Sequence, residues 1–172
     1  MRIHIIGGSG AGKSFISNKL EDKYNLKLVE LDKIEWDNKT GKSKKRDEKE
    51  KLKLLSKELS KDNILLEGVY YKWCSKSFEK CDYIFFLETP LLKQQYRILR
   101  RSIRRKLGIE KGHVKETLKS IKDLFLWNIK YNTEYKKDIF KTLEKYNDKV
   151  YKIKEYDDII KIIGEWIWKI YQ

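Results

Sequence analysis

Residues 7–14 read GGSGAGKS, and they directly follow a short apolar run, RIHII, at residues 2–6. This octet matches the pattern G-x-x-x-x-G-K-[ST], whose glycines let the backbone wrap closely around phosphate groups. Successive N–H groups of such a loop point inward, and the helix that follows adds the positive end of its dipole. The alternative is a glycine-rich turn that only joins a strand to a helix, but the Lys-Ser pair favours phosphate binding.

The same loop predicts the cofactors. We expect Lys13 to reach the β- and γ-phosphates of a nucleotide and Ser14 to offer its hydroxyl group to Mg²⁺. The nucleotide-binding residues that the loop predicts are Gly8, Gly10, Ala11, Gly12, Lys13, Ser14 and Phe15. ATP and Mg²⁺ are therefore the expected cofactors.

Outward from the loop, short apolar runs alternate with helical patterns. The runs lie at 2–6, 26–31, 63–66, 83–87 and 150–153, and the helical patterns lie at 13–24, 47–60, 90–106, 114–146 and 157–171. The pattern at 114–146 forms either one helix or two, because its aromatic residues are irregularly spaced. Such alternation favours a parallel sheet covered by helices on both faces. We therefore predict a three-layer α/β/α sandwich with a five-stranded parallel sheet, formed by a single domain over residues 1–172.

The composition predicts a globular protein that does not enter membranes. Of the 172 residues, 40% are apolar and 13% aromatic, which is enough to fold one domain without disulfides or metals. No apolar stretch has the length of a membrane span, and the apolar start meets glycine too early for a signal peptide. Cys74 and Cys81 lack metal-site spacing and are expected to be ordinary thiols. We expect a cytoplasmic monomer.

Arginines are concentrated in one helical pattern of a strongly basic chain. The net charge is +14, and five of the seven arginines fall between residues 97 and 105. Arg97, Arg101, Arg104 and Arg105 share one helix face, and Arg100 borders it. Because like charges packed together repel, a phosphate-rich ligand is a physical reason for this cluster. A solvated helix face is the alternative.

Two carboxylates stand where predicted strands end, at the edge where ligands of open α/β sheets bind. Asp32 follows the second apolar run and Glu67 follows the third. With Ser14 they are the candidate Mg²⁺ ligands, and one of them could accept the proton of an attacking hydroxyl. The alternative for each is a capping or solvent-exposed carboxylate. Trp36 and Tyr70 come shortly after and are expected either to wall a substrate pocket, together with these carboxylates, or to pack in the core.

Taken in order, the motifs resemble a known family. They are GGSGAGKS at 7–14, LDKIEW at 31–36, LEGVY at 66–70 and RILRR at 97–101. They are similar to the adenylate-kinase-like P-loop proteins, and most of all to the small bacterial DNA topology modulation proteins. The resemblance covers nearly the whole chain. It implies a five-stranded parallel sheet, an acceptor-side segment at about 33–61 and an arginine-bearing lid at about 97–113.

The resemblance also implies site residues. In such proteins an arginine pair four residues apart leads into the lid, which maps onto Arg97 for adenine stacking and Arg101 for phosphate binding. The loop after the last strand, at Lys154, would border the base. Two features depart from the family. Glu67 stands before glycine where relatives commonly have aspartate, and the acceptor-side segment has no arginine except Arg46 with which to bind an acceptor phosphate.

These residues predict a kinase-like transfer of phosphoryl from ATP to a small hydroxyl- or phosphate-bearing acceptor, such as a nucleoside or nucleotide. The expected catalytic residues are Lys13, Asp32, Arg97, Arg101 and Arg104. Closure of an arginine-bearing lid would exclude water and favour the acceptor over hydrolysis. A regulatory GTPase is disfavoured because the Asn-Lys-x-Asp motif is absent. The alternative is a nucleotide-regulated nucleic-acid-binding protein, which the basic second half permits, and a kinase of polynucleotide ends would combine both.

Overall fold

The computed structural model describes residues 1–38, 43–110 and 117–170, the side chains of 166–170 excepted. The strands are β1 (Arg2–Ile6), β2 (Lys27–Glu30), β3 (Trp36–Asp37), β4 (Lys44–Lys45), β5 (Ile64–Gly68), β6 (Tyr83–Leu87) and β7 (Val150–Ile153). The α-helices are α1 (Lys13–Tyr24), α2 (Leu31–Glu35), α3 (Glu48–Leu59), α4 (Ser75–Lys80), α5 (Leu91–Lys106), α6 (Leu118–Lys130), α7 (Lys136–Leu143) and α8 (Tyr156–Ile170). A π-helical turn, Tyr131–Tyr135, joins α6 to α7, and a 3₁₀ turn, Glu144–Tyr146, follows α7.

Five strands form one parallel sheet in the order β2-β5-β1-β6-β7. Apolar clusters cover both of its faces. One cluster includes Leu55 of α3 and Phe78 of α4, and the other includes Ile16 of α1 and Ile159 of α8. The predicted three-layer sandwich around a five-stranded parallel sheet is therefore confirmed.

The central strands carry almost no polar side chains because helices cover them on both faces. Every residue of β5 and β6 is buried. In the register of β1 with β5, Ile6 lies beside Gly68, so both strands end at the same edge of the sheet. The loop that follows β1 therefore lies beside Glu67, near the end of β5.

Local hydrogen bonds fix where the helices begin. The Asp47 side chain accepts a hydrogen bond from the N–H of Glu50 and caps α3. Thr117 and Ser120 exchange hydrogen bonds in a capping box at the start of α6. Within the described part of the chain, no helix is long and apolar enough to cross a membrane.

Two candidate carboxylates lie at positions that differ from the sequence prediction. The second strand ends at Glu30, and the next five residues form α2, so Asp32 lies in the first turn of a short helix and not at a strand end. The third strand of the prediction continues to Gly68, so Glu67 lies inside β5 and not after it. The sequence also does not predict α4 or the antiparallel pair β3–β4, because these elements are too short to show a hydrophobic period.

The helical pattern at 114–146 does not form one helix. It contains α6, the π turn, α7 and the 3₁₀ turn, with residues 114–116 outside the described part. Residues 111–113 of the predicted lid and residue 171 of the last predicted helix also lie outside it. The π turn begins at the buried Tyr131, whose ring packs on Gly8. Its position beside the glycine-rich loop agrees with the common occurrence of such turns at functional sites.

Candidate active site

A cleft of about 810 Å³ opens at the carboxyl edge of the sheet. It is bounded by the loop at residues 7–14, hereafter the P-loop, and by side chains from α2, β5, α5 and α6. The predicted site residues that line it are Gly10, Gly12, Lys13, Ser14, Phe15, Asp32, Trp36, Glu67, Tyr70, Arg97 and Arg101. The structure thus brings most of the predicted site together.

Two glycines give the P-loop its curvature. Gly10 and Gly12 have φ angles of +72° and +109°, in the left-handed region that favours glycine. A Cβ at Gly10 would lie 2.5 Å from the carbonyl oxygen of Gln94, and a Cβ at Gly12 would lie 2.9 Å from the Arg97 guanidinium. Neither position accepts a side chain without displacing α5 or its arginine.

Gly8 and Ala11 do not line the cleft but hold the P-loop in place through their carbonyl groups. The Gly8 carbonyl accepts a hydrogen bond from the Lys13 ammonium at 3.1 Å. The Ala11 carbonyl accepts from the Thr89 hydroxyl at 3.0 Å and from the Arg97 guanidinium. Thr89, just before α5, and Arg97 of α5 therefore tie the loop to that helix.

Lys13 is the cation inside the P-loop. Burial lowers its pKa, and the negative charges of Glu67 and Asp32 oppose that change. The positive charge of Arg101 lowers the Lys13 pKa further. Charges from several parts of the cleft therefore act on this one ammonium group.

Glu67 is held against the start of α1 by two serine hydroxyls. Ser14 donates to its Oε1 atom at 3.0 Å, and Ser17 donates to its Oε2 atom at 3.1 Å. Burial raises the pKa of Glu67, while the charge of Lys13 and both hydrogen bonds lower it. Ser17 has no role in the P-loop pattern, and only its spacing of three residues from Ser14 could have suggested it.

Asp32 and Tyr70 form a hydrogen-bonded pair on the opposite wall. The Tyr70 hydroxyl donates to the Oδ1 atom of Asp32 at 2.6 Å. Burial, followed by this bond and the Asp32 charge, raises the pKa of Tyr70 well above its ordinary value. Tyr70 therefore remains a protonated donor. Trp36 lies on the same wall with 39% of its surface exposed.

The arginines of α5 separate into two groups. Arg97 and Arg101 line the cleft, and Arg97 contacts the Gly10 and Ala11 carbonyls. Arg104 does not line the cleft. Its Nε atom lies 3.5 Å from the carboxylate of Glu110. A catalytic role for Arg104 stays a prediction.

Lys154 lies apart from the other predicted site residues. It lines a second cavity of about 470 Å³, together with Glu88 and Lys136. Its backbone N–H donates to Asp158 at the start of α8. Contact between Lys154 and a nucleotide base therefore stays a prediction. Phe15 does line the cleft, and its exposed ring lies 4.8 Å from the Lys19 ammonium.

Polar residues behind the P-loop were not indicated by the sequence. The Asn128 side chain donates to the Ser9 carbonyl at 3.0 Å, and Gln94 donates to the Thr89 carbonyl at 2.6 Å. Both side chains are buried, although they belong to helices with many exposed residues. The signal that could have found them is a polar residue at a position where the helical pattern requires a buried side chain.

Several residues that line the cleft were also missed. They are Glu35, Lys45, Glu110 and Trp127. Glu35 lies three residues after Asp32, so the two share a face of α2. The other three reach the cleft through tertiary packing alone, for which a single sequence carries no local signal.

No family model and no curated protein matches the chain. Among solved structures, a shikimate kinase from Acinetobacter baumannii in complex with shikimate is similar to it. The TM-score is 0.56 at 18% identity, over 98% of this chain and 93% of that one. The two chains share one fold. A shikimate kinase from Aquifex aeolicus gives a TM-score of 0.48 at 18% identity, over 99% of this chain and 98% of that one.

At this level of identity the likeness concerns the fold. It agrees with the parallel sheet and with the P-loop between β1 and α1. The fold that the resemblance to adenylate-kinase-like proteins implies is therefore confirmed. The narrower resemblance to DNA topology modulation proteins rests on the sequence motifs alone.

Proposed function

We propose that the protein is a kinase that transfers the γ-phosphoryl group of ATP to a small acceptor such as a nucleoside or nucleotide. The observation that carries the proposal is that donor and acceptor groups face one cleft. Lys13 and Ser14 lie on the P-loop wall, and Asp32, held by Tyr70, lies on the other wall. A protein that only bound a nucleotide would need the first wall alone.

The P-loop supplies the donors for the phosphates. A Cβ at Gly12 would lie 2.9 Å from the Arg97 guanidinium, so glycine is needed where the loop passes this arginine. The amide groups at the start of α1 and the Lys13 ammonium then face the same space. Preorganised N–H donors and a lysine in this arrangement bind the β- and γ-phosphates in P-loop proteins.

The donor set also fits Mg²⁺. The Ser14 hydroxyl and the Glu67 carboxylate are oxygen donors 3.0 Å apart. Among the described residues, no group of three or more acidic, histidine or cysteine side chains could hold a metal. Mg²⁺ retains several waters and binds through one or two protein oxygens and the substrate phosphates, so a sparse set suits it. When bound, the ion would neutralise phosphate charge, with Ser14 and Glu67 holding it.

Asp32 would accept the proton of the acceptor hydroxyl. The hydrogen bond from Tyr70 fixes one oxygen of its carboxylate, so the group has a defined orientation at the cleft surface. A positioned general base contributes about 10²–10⁴-fold to the rate. Arg97 and Arg101 would stabilise the charge of the transferred group, because both line the cleft beside Lys13.

The test is an acceptor panel of nucleosides, nucleotides, other small hydroxyl compounds and oligonucleotide ends. The purified protein is incubated with ATP and Mg²⁺, and ADP formation and product mass are measured. Lys13→Ala should abolish transfer, whereas Lys23→Ala, a change at the other end of α1, should not. If nucleotide binds but no acceptor accelerates ADP formation, the protein is a nucleotide-binding switch and not a kinase.

A second candidate function is nucleotide-regulated nucleic-acid binding, as the sequence resemblance to DNA topology modulation proteins suggests. The observation that favours it is that α5 carries seven basic and no acidic residues. Binding through phosphate contacts would weaken steeply as the salt concentration rises. Against this candidate, Arg97 and Arg101 of that helix line the nucleotide cleft. DNA or RNA binding that is weak at low salt would exclude it.

A further inference from the structure

The acceptor wall of the cleft, defined here as Asp32, Glu35, Trp36, Lys45 and Tyr70, contains two carboxylates and one ammonium group. An acceptor that carries a carboxylate or a phosphate needs cations on this wall that can bind it. The contacts of the cations on and beneath the wall therefore decide which acceptors fit.

Arg46 stabilises the acceptor wall through hydrogen bonds to the backbone and to Glu50. Its Nη1 atom donates to three backbone carbonyls, those of Lys33 at 2.8 Å, Ile34 at 3.0 Å and Trp36 at 2.8 Å. Its Nε atom donates to the Glu50 carboxylate at 3.0 Å. The guanidinium is 10% exposed and does not line the cleft. Arg46 therefore fixes the turn after α2 and does not bind an acceptor.

Lys45 of the acceptor wall and the buried Lys51 are paired with one buried carboxylate. The Oε1 atom of Glu35 lies 2.9 Å from the Lys45 ammonium, and its Oε2 atom lies 3.1 Å from the Lys51 ammonium. The side chains of Glu35 and Lys51 are only 4% and 8% exposed. The Lys51 ammonium also lies over the Trp73 ring at 5.3 Å. The Lys45 side chain is 60% exposed, but the Glu35 carboxylate beside it offsets its charge, so Lys45 attracts an anionic acceptor less strongly than an unpaired ammonium group would.

The remaining groups of the wall suit a neutral ligand. Asp32 is exposed and can accept hydrogen bonds from ligand hydroxyls, while its negative charge repels a ligand anion. Trp36 presents an exposed indole, which can pack on the apolar face of a sugar ring or on a base. A carboxylate beside an exposed aromatic ring therefore matches a ring that carries hydroxyl groups.

We propose that the acceptor is a hydroxyl-bearing ring compound without an anionic group, such as a nucleoside or an uncharged sugar, and that the acceptor wall rejects carboxylates and phosphates. This inference rests on the proposed kinase function. In the reaction, the acceptor hydroxyl loses its proton to the Asp32 carboxylate, and its oxygen forms a bond to the γ-phosphorus. The bond from that phosphorus to the β,γ-bridging oxygen breaks, and ADP leaves.

The experiment uses acceptors in matched pairs that differ by one anionic group. Suitable pairs are a nucleoside with its 3′-monophosphate, which keeps the 5′-hydroxyl, and xylose with glucuronate, whose ring carries the same hydroxyl groups and one added carboxylate. ADP formation is measured for each compound over the rate without acceptor, and nucleotide binding is measured separately by calorimetry. We expect the neutral member of at least one pair to have a kcat/KM higher than its anionic partner by about tenfold or more.

The outcomes separate this inference from the proposed function. If the anionic members are used equally well or better, the inference is wrong and the kinase function stands. If no compound raises ADP formation although ATP binds, the kinase function is wrong and the inference falls with it. Preference for the neutral members supports both.

A variant tests the electrostatic cause. Glu35→Gln removes one negative charge from the wall and releases Lys45, so the preference for neutral acceptors should fall by about fivefold or more. Glu79→Gln removes an equal charge from the exposed side of α4 and should leave the preference unchanged. Because Glu35→Gln leaves the buried Lys51 unpaired and could impair folding, Glu35→Gln/Lys51→Met is made as well. An unchanged preference in whichever of these variants folds would overturn the inference.

Discussion

We predict that His4 makes the folding stability of the protein sensitive to mild acid. It lies in the central strand β1 and is fully buried. Its Nδ1 atom is 2.9 Å from the Ser77 hydroxyl, and its ring stacks on Phe78 at 4.9 Å. Among the described residues, its Nε2 atom has no hydrogen-bond partner. Burial lowers the pKa of His4 from 6.5 to about 3.

The size of the effect follows from this difference in pKa. Below pH 6.5 the unfolded chain binds a proton at this position, whereas the folded chain remains neutral until the pH approaches 3. Titration of His4 therefore lowers the free energy of unfolding only below about pH 6.5, and the loss grows as the pH decreases toward 3. Each pH unit costs about 1.4 kcal/mol, so the expected loss at about pH 5 is about 2 kcal/mol. Such a loss is a large part of the about 5–15 kcal/mol that stabilises an ordinary domain.

The assay is urea unfolding at about pH 7.5 and about pH 5, followed by tryptophan fluorescence. His4→Asn does not titrate but keeps a polar group toward Ser77. From about pH 7.5 to about pH 5, the free energy of unfolding should decrease by about 2 kcal/mol less in His4→Asn than in the parent. His113→Asn reports the contribution of the other histidine. Equal losses in the parent and His4→Asn would refute the assignment of this acid sensitivity to His4.

Three further predictions concern the cleft. Asp32→Asn should spare ATP binding and lower phosphoryl transfer by about a hundredfold or more, as measured by ADP formation and nucleotide calorimetry; unchanged transfer would exclude it as the base. Ser17→Ala removes a hydrogen bond that lowers the Glu67 pKa, so the Mg²⁺ concentration for half-maximal activity should rise, and more so at mildly acidic pH. Coincident Mg²⁺ titrations would contradict this. Arg97→Ala should lower kcat by about ten- to a thousandfold, whereas Lys119→Ala on α6 should matter far less; similar losses would indicate a diffuse basic patch.

The P-loop could be predicted because its requirements are local. The positive φ angles of Gly10 and Gly12, the lysine and the serine all fall within one octet of sequence. The strands that flank it are buried on both faces, so their apolar runs are continuous and easily recognised. The parallel sheet and its covering helices followed from the alternation of these apolar runs with helical patterns.

The hydrogen bonds that hold the two carboxylates could not be predicted. Asp32 and Glu67 carry chemistry that a sequence reveals, but Tyr70 lies 38 residues from Asp32 and Ser17 lies 50 from Glu67. Only the packed sheet edge brings them together. Asn128 is a stronger case, since its contact with the Ser9 carbonyl spans 119 residues.

The acceptor wall was the least predictable part of the site. Glu35 and Lys45 have ordinary solvated character in the sequence, in a segment rich in lysine. Their pairing depends on the short helix α2 and on the two-residue strands β3 and β4, which show no hydrophobic period. The structural role of Arg46, which its hydrogen bonds to backbone carbonyls show, was not predicted either.

The π turn between α6 and α7 has a consequence for evolutionary comparison. One extra residue in a helix rotates everything beyond it by about 100° relative to an uninterrupted helix. A single-residue deletion in Tyr131–Tyr135 would therefore rotate α6 relative to α7. If α7 kept its place on the sheet, Asn128 of α6 would turn away from the Ser9 carbonyl. An alignment with homologous chains that lack this residue would need a gap at the turn. Without the gap, Asn128 of α6 would be aligned with a residue that does not contact the P-loop. Homologues with and without the extra residue should therefore differ in the side chains that contact the P-loop from α6.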